Sequence, residues 1–318
     1  MSTTDADAHA GGATAERIRI REVGPRDGFQ NEPELLSTDD KLTLVGALMR
    51  SGVERIELTS FVRPDVIPQL ADGADLLDRL EPVPGVSRSV LIPNERGLDG
   101  ALLRRDRFDE VSVFLSASET HNRKNVNRSI DESLAGLRRV LERAGDAGLR
   151  RVAVIATSFG CPYEGEVPVA RVAEIATALR DAGAEEIGFG DTTGMANPRQ
   201  VARFFPVLAD ALGPDVELTA HFHNTRGQGL ANVLAALDAG CRSFESSFGE
   251  LGGCPVPAGA TGNIATEDLV SMLHEMGYAT GIDLPAVISA SRRAQEIIGR
   301  PLGSHTLVAG PVQWSPHA

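Results

Sequence analysis

Two histidines at the end of a strand-like segment are the side chains best suited to chemistry. His221 and His223 lie two positions apart within residues 216–224. Alternate side chains of a strand face the same way, and two steps of about 3.3 Å bring both imidazoles within reach of one metal ion. A pair of core histidines held only by hydrogen bonds is the alternative. Because the pair stands at a strand end, we favour a metal site.

Oxygen ligands for that ion are expected from two other parts of the chain. Asp27 follows the first predicted strand directly, and Asn263 lies in a Gly-rich loop. A carboxylate, two imidazoles and an amide oxygen suit Mg²⁺ or Mn²⁺ better than a metal that prefers thiolates, and Zn²⁺ stays open.

The composition limits the class of protein and its compartment. The chain has 318 residues, 42% of them hydrophobic, and a net charge of -13, which argues against broad binding to nucleic acids or anionic membranes. Its three cysteines, Cys161, Cys241 and Cys254, form no even disulfide framework, so we expect a reducing compartment, the cytoplasm. Residues 1–16 are predicted to be a disordered tail, and no segment has the roughly 18 consecutive apolar residues of a membrane span.

Short β-branched runs alternate with longer amphipathic stretches along the chain, a pattern that predicts βα units and a parallel sheet. Eight strands are predicted to begin near Ile18, Glu54, Ser87, Glu110, Arg151, Glu185, Val216 and Ser243. Helices are predicted at 39–50 after the cap Thr38, at 130–144 after the cap Ser129, and near 269–276 and 285–298. Eight units favour an α/β fold, a (β/α)8 TIM barrel with additional C-terminal helices, as one domain over 17–318. A doubly wound sheet is the alternative.

The barrel prediction gathers distant polar residues at one place, because active sites of such barrels lie at the carboxyl ends of the strands. The candidates that follow strand ends are Arg26, Asp27, Glu57, Asp191, His221, His223, Cys254 and Asn263.

Motifs in order along the chain carry a resemblance to a known family. They are VGPRDGFQNE at 23–32, ELTSFV at 57–62, KNVN at 124–127, GCPYEG at 160–165, GDT at 190–192, AHFHNT at 220–225, LGGCP at 251–255 and GNIATED at 262–268. Together they resemble the 3-hydroxy-3-methylglutaryl-CoA lyases, within the wider group of metal-dependent barrel lyases, aldolases and Claisen-type synthases. Each motif alone is weak, but the full series at matching spacing is specific.

The resemblance implies metal-dependent cleavage of a carbon–carbon bond in 3-hydroxy-3-methylglutaryl-CoA, giving acetyl-CoA and acetoacetate. Arg26 would stabilise the enolate that forms on the thioester fragment. A histidine matching His221 is the implied base, although a nitrogen that ligates a metal cannot also accept a proton, so Asp27 and a water molecule are rivals. Glu57 and Asp191 would orient ligands or Arg26.

Further roles also come from the resemblance. Cys254 would be a cysteine of a lid over the reacting carbons and would act as an acid in product formation, and a plain loop cysteine is the alternative. Arg123, Lys124 and Asn125 would contact the phosphates of the acyl-CoA substrate. A homodimer is implied as well.

Two departures from the family pattern concern the substrate. Val154 stands where the pattern has a tyrosine on strand five, so a hydroxyl contact to the substrate is lost, and Arg226, in the segment 224–227 that reads differently, adds a positive charge for the substrate. A related lyase acting on another branched acyl-CoA, such as citramalyl-CoA, therefore stays an alternative. From other classes, a metal-dependent amidohydrolase would carry its histidine pair on strand one, and a non-catalytic acyl-CoA-binding barrel would not need this set of polar residues.

Overall fold

Eight parallel strands close into a barrel in the computed structural model, which describes residues 15–253 and 261–314. The strands are β1 Arg19–Glu22, β2 Arg55–Ser60, β3 Ser87–Leu91, β4 Glu110–Ser116, β5 Arg150–Ala156, β6 Glu186–Gly190, β7 Glu217–His221 and β8 Ser243–Ser246. Each pairs with the next, and β8 pairs with β1. The predicted TIM barrel is confirmed, and every strand begins within one residue of its predicted start.

Helices surround the barrel in the described part of the chain. They are α1 Thr38–Met49, α2 Gly73–Arg79, α3 Glu95–Leu102, α4 Glu119–Val126, α5 Ile130–Asp146, α6 Val169–Asp181, α7 Pro198–Leu212, α8 Gly229–Asp238, α9 Thr266–Glu275, α10 Leu284–Ile298 and α11 His305–Ala309. None of the described helices is long and apolar enough to cross a membrane.

The predicted helix limits need small corrections. Ser37, not Thr38, caps α1, because the Ser37 hydroxyl accepts the Asp40 amide at 3.1 Å, and the helix ends at Met49. Ser129 caps α5 as predicted, in a capping box with Glu132. Helices α4 and α11 were not predicted. Residues 1–14 of the predicted tail lie outside the described residues, and the division into a tail and one domain stays a prediction.

The two faces of the barrel wall carry different chemistry. Outward-facing strand residues such as Val111, Val113 and Leu115 are fully buried against the helices, which is the main hydrophobic core. Inside the barrel, the Arg21 guanidinium donates to Glu110, Glu186 and Glu245 at 2.8 to 3.1 Å, and all four side chains are at most 5% exposed. The polar interior therefore consists of paired charges, which is how buried ions are tolerated.

Candidate active site

Three potential metal ligands converge at the carboxyl ends of β1 and β7. Ligand atoms of Asp27, His221 and His223 all lie within 4.8 Å of one another. The Nε2 atoms of the two imidazoles are 3.1 Å apart. Strand β7 ends at His221, earlier than predicted, and His223 continues it only through an isolated bridge to Asn263. The structure therefore brings the predicted pair together as expected for ligands of one ion.

The Asp27 carboxylate is held in place by three neighbours. Its Oδ1 accepts from Arg26 at 2.7 Å and from Gln30 at 2.8 Å, and its Oδ2 accepts from the Asn263 side chain at 2.8 Å. Burial raises the pKa of Asp27, but Arg26, the two imidazoles and the Asn263 amide outweigh it and leave the pKa below its usual range. The carboxylate is therefore ionised at neutral pH, as a metal ligand must be.

Asn263 is fully buried beside Asp27, in the segment between β8 and α9. Its Nδ2 donates to Asp27 and to the Leu251 carbonyl, and its Oδ1 has no hydrogen-bond partner among residues 15–253 and 261–314. Gly252 leaves the room for this contact, since a Cβ there would come within 2.6 Å of the Asn263 Nδ2. Because the two ends of an amide are exchangeable by rotation, the same side chain can present its oxygen toward Asp27.

The two imidazoles have different electrostatic surroundings. The Nδ1 of His221 lies 2.9 Å from Glu245, and this carboxylate and Asp27 raise the pKa of His221 although burial lowers it. Burial and the charge of His221 lower the pKa of His223 to about 4, and its Nδ1 is buried with no partner in the part of the chain that the structure describes. Hydrogen bonding at Nδ1 leaves the Nε2 lone pair of His221 available to a metal.

Glu245 was not predicted from the sequence as a site residue. Besides His221, it accepts from Arg21 at 2.8 Å, and these two neighbours hold its pKa at about 2 although burial raises it. In the sequence it is one acidic residue of β8, and only barrel closure places it beside His221. The alternation of Ser243, Glu245 and Ser247 with Phe244 was the available signal for an inward polar face.

The guanidinium of Arg26 is fixed by two carboxylates. The Arg26 Nε donates to Glu57 at 2.5 Å, and its guanidinium also contacts Asp27 at 2.7 Å. Burial opposes the charge, but both carboxylates outweigh it and raise the pKa of Arg26 further. Glu57 thus contacts Arg26, as predicted, while Arg26 lines the cavity above the barrel.

Asp191 follows β6 directly and is buried. Its Oδ1 accepts the backbone amides of Met195 and Ala196 at 2.7 and 2.9 Å, and burial raises its pKa to about 7. Its side chain makes no hydrogen bond to Arg26 or to the metal-ligand candidates, so it shapes the loop after β6. The predicted lid residue Cys254 lies outside the described residues.

A cavity of about 530 Å³ opens above the metal-ligand candidates. Lys124 and Asn125 line it, and the Lys124 ammonium lies 4.9 Å from the centre of the Tyr163 ring. Arg123 does not line it and pairs with Glu119 on α4 instead. The predicted phosphate-binding segment therefore turns two of its three residues toward the cavity, because it forms a helix.

The two departures from the family pattern differ in their relation to the cavity. Val154 lines its floor. Arg226 does not line it, and its guanidinium donates to the backbone carbonyls of Thr193 and Gly194 at 2.9 and 2.6 Å. The expectation that Arg226 adds a charge for the substrate is therefore not supported by its position, since the guanidinium joins the loops after β6 and β7.

The site offers mixed nitrogen and oxygen ligands to a divalent cation. One ionised carboxylate and two imidazole nitrogens fit such an ion, and rotation of the Asn263 side chain would turn its amide oxygen toward them in place of the Nδ2 that now donates to Asp27. A cation placed among them would also separate the two Nε2 atoms that now face each other. The residues present thus fit the metal that the sequence predicts.

Comparisons with known proteins agree with this geometry. A hydroxymethylglutaryl-CoA lyase of Bacillus subtilis is 45% identical over 92% of this chain and 97% of its own length. One of Pseudomonas mevalonii is 42% identical over 89% of this chain and 93% of its own length. A solved HMG-CoA lyase from Acinetobacter baumannii, in complex with coenzyme A and 3-methylmalate, is 39% identical with a TM-score of 0.91, covering 97% of this chain and 100% of that one. A family model described as HMGL-like matches residues 17–293, and the chain belongs to this family.

Proposed function

We propose that the chain cleaves 3-hydroxy-3-methylglutaryl-CoA to acetyl-CoA and acetoacetate. The observation that carries the proposal is the cluster of Asp27, His221 and His223 beside the guanidinium of Arg26 at the mouth of a lyase-family barrel. Relatives named for this reaction, at 42% and 45% identity over most of the chain, support it. Citramalyl-CoA as the main substrate is not favoured by these relatives.

In this reaction the C2–C3 bond of the acyl group breaks. The C3 hydroxyl loses its proton and becomes the ketone of acetoacetate, and the bonding electron pair passes to C2 as the enolate of acetyl-CoA. Protonation at C2 completes the second product. Negative charge therefore grows on the thioester oxygen, and a fixed cation at that point lowers the barrier.

Arg26 is the group we assign to that charge. Its two carboxylate contacts, to Glu57 and Asp27, restrain the guanidinium before substrate arrives, so little reorganisation is needed during the reaction. Glu57 acts through Arg26 as a positioning residue, and Asp191 holds the loop after β6 and interacts electrostatically with His221.

Asp27, His221, His223 and Asn263 would hold the divalent cation, with Mg²⁺ or Mn²⁺ as our proposal. When bound, that cation supplies Lewis-acid polarisation of the substrate's oxygens. His221 has its Nδ1 engaged by Glu245 and its Nε2 directed at the cluster, so we assign it as a ligand rather than as the base. Asp27 and a water molecule are the remaining candidates to take the hydroxyl proton.

Lys124 and Asn125 are proposed to bind the coenzyme A part of the substrate at the rim of the cavity. The coenzyme A complex of the relative from Acinetobacter supports an acyl-CoA ligand. Cys254 as a proton donor, a homodimer and a cytoplasmic location stay predictions from the sequence.

The test is acetoacetate release from 3-hydroxy-3-methylglutaryl-CoA in the presence of Mg²⁺ or Mn²⁺. We expect release that EDTA abolishes and that the metal restores. Asp27→Ala should lose it, whereas Asp99→Ala, which removes an exposed carboxylate of α3, should keep it. Metal-independent release, or full activity of Asp27→Ala, would contradict the assignment.

A further inference from the structure

Glu250 holds a backbone conformation that glutamate rarely adopts. Its φ is +61°, in the left-handed region, directly after Gly249 at +64°. Among the described residues other than glycine, Asn127 and Thr157 alone share a positive φ with it. Glycine takes this conformation without steric cost, whereas a residue with a long side chain is strained there. Such strain persists where surrounding contacts hold it, and it is concentrated at functional sites. The contacts of the Glu250 side chain therefore indicate what the strain supports.

The Glu250 carboxylate joins two segments beside the metal-ligand candidates. Its Oε1 accepts the Asn224 side-chain amide at 2.7 Å. The oxygen of that amide accepts the Gly229 backbone N–H at 3.3 Å, so both ends of the Asn224 side chain are engaged and its amino group faces Glu250. Asn224 directly follows His223 and begins the segment 224–227, which departs from the family pattern. The contact thus ties the chain that carries His223 to the segment after β8.

Asn263 is held by the same two segments. The Asn224 backbone N–H donates to the Gly262 carbonyl at 3.1 Å, and His223 forms an isolated bridge with Asn263. A Cβ built on Gly262 would lie 2.6 Å from the Glu250 carbonyl oxygen, so the two backbones are in close contact. Because β7 ends before His223, the hydrogen-bond ladder of the barrel does not hold this bridge. The side-chain contact between Glu250 and Asn224 braces it instead.

We propose that Glu250 is a positioning residue that holds His223 and Asn263 in place for the divalent cation, through its contact with Asn224. This inference rests on the proposed function, because it uses the same ligand set. Glu250 acts at a distance from the cation, since its carboxylate is engaged by Asn224 and the ligand atoms that converge belong to other residues. The contact offsets the strain and restrains the ligands before a cation arrives.

The size of the effect follows from the indirect way in which Glu250 acts. Loss of a contact that orients a metal ligand typically lowers metal affinity by about 10-fold to 100-fold. Glu250 supports the backbone beside His223 and Asn263 rather than either side chain itself. We therefore expect the lower end of that range, about tenfold.

Calorimetry with Mn²⁺ tests the contact by reversing its polarity. Asn224→Asp sets a carboxylate against the Glu250 carboxylate and should weaken Mn²⁺ binding about tenfold, although the added negative charge alone would attract a cation. Glu250→Gln keeps an oxygen for Asn224 and should bind Mn²⁺ like the parent. In the double variant the glutamine amino group can donate to the new aspartate, and the net charge equals that of the parent. Its affinity should recover, and a double variant that binds Mn²⁺ no more tightly than Asn224→Asp would overturn the proposal.

Glu250→Gly distinguishes positioning from a purely structural role. Glycine removes the strain together with the contact, so the urea midpoint should not fall while Mn²⁺ affinity drops about tenfold. Asn127→Gly is the matched control, because it relieves a positive φ of +54° at the end of α4. It should leave Mn²⁺ affinity unchanged. Parent-like Mn²⁺ affinity in Glu250→Gly would contradict the positioning role.

Acetoacetate release separates this inference from the proposed function. For Asn224→Asp and Glu250→Gly, the Mn²⁺ concentration that gives half the maximal rate should rise about tenfold, and saturating Mn²⁺ should restore the parent kcat. Mn²⁺ affinities that follow the expected order, without cleavage of the substrate by the parent, would refute the lyase and leave the positioning role standing. Cleavage by the parent with the same Mn²⁺ affinity in all variants would overturn the positioning role alone. A parent that does not bind Mn²⁺ would overturn both.

Discussion

Replacing Glu245 by glutamine tests how the barrel interior controls His221, which we propose as a metal ligand. The Glu245 carboxylate accepts from Arg21 at 2.8 Å and from the Nδ1 of His221 at 2.9 Å. A glutamine of the same shape has one oxygen and one amino group. The Arg21 guanidinium can only donate, so the glutamine oxygen must face it and the amino group must face His221.

This arrangement forces the wrong tautomer on His221. The Nδ1 of the imidazole would have to accept the amide hydrogen, which places the proton on Nε2 and removes the lone pair that a metal needs. Loss of such a supporting contact typically weakens metal binding by about 10-fold to 100-fold, or roughly 1.4 to 2.7 kcal/mol. We expect Glu245→Gln to weaken Mn²⁺ binding by this amount in calorimetry.

Nitrogen NMR of the metal-free protein measures the tautomer directly. At a pH above the pKa of His221, where the ring is neutral, its proton should lie on Nδ1 in the parent and on Nε2 in Glu245→Gln. Glu110→Gln is the control, because Glu110 is equally buried and also contacts Arg21, at 2.9 Å, but not His221. It should lose stability without losing metal affinity. Unchanged Mn²⁺ affinity and an unchanged tautomer in Glu245→Gln would refute this reasoning.

Three further outcomes follow from contacts in and around the site. Arg26→Lys keeps the charge but cannot contact Glu57 and Asp27 together through a planar guanidinium, so kcat should fall about 100-fold with little change in KM, measured by steady-state kinetics. Gly252→Ala places a Cβ 2.6 Å from the Asn263 Nδ2 at a residue whose φ is +127°, and it should weaken Mn²⁺ binding in calorimetry. The control is Gly213→Ala, where no described atom lies within 4 Å of the new Cβ, and its effect on Mn²⁺ binding should be smaller. Burial raises the pKa of Glu267 to about 7, so between pH 4.5 and 7 the folded protein keeps a proton that the unfolded chain loses. The contribution of Glu267 to the free energy of unfolding should therefore fall as the pH rises from about 4.5 to 7 and then level off. Glu267→Gln, which resembles the protonated acid, should show a weaker fall in its urea midpoint over that range.

The fold followed from the sequence because its signals are local. Eight apolar runs at regular spacing, each followed by an amphipathic stretch, allow few other arrangements of parallel strands. Helix α4 was not predicted because it lacks such a local signal. Its residues 119–126 are almost all polar, so no apolar periodicity marks a helix, and the cap Ser118 is the one local sign of it.

The site was predicted only where a residue type and its place at a strand end coincide. Asp27, His221, His223 and Asn263 satisfied that condition and lie together in the structure. Glu245 did not, because it lies within β8 and acquires its partner from another strand. The prediction that Arg226 adds a charge for the substrate used only its residue type. The direction of a long flexible side chain depends on its neighbours in the fold, and these cannot be read from the sequence.

The pair Arg21 and Glu245 stands directly across the junction where the first strand meets the last. These two residues are partners in the register of β1 with β8. Glu245 reaches its position only when the final strand of the barrel has been added, and His221 gains its orienting partner in the same event. Catalytic competence is consequently tied to completion of the fold, and a chain stalled one strand short would hold its histidines near each other but leave His221 without that partner. The rate at which metal affinity returns during refolding would therefore report the rate at which the barrel closes.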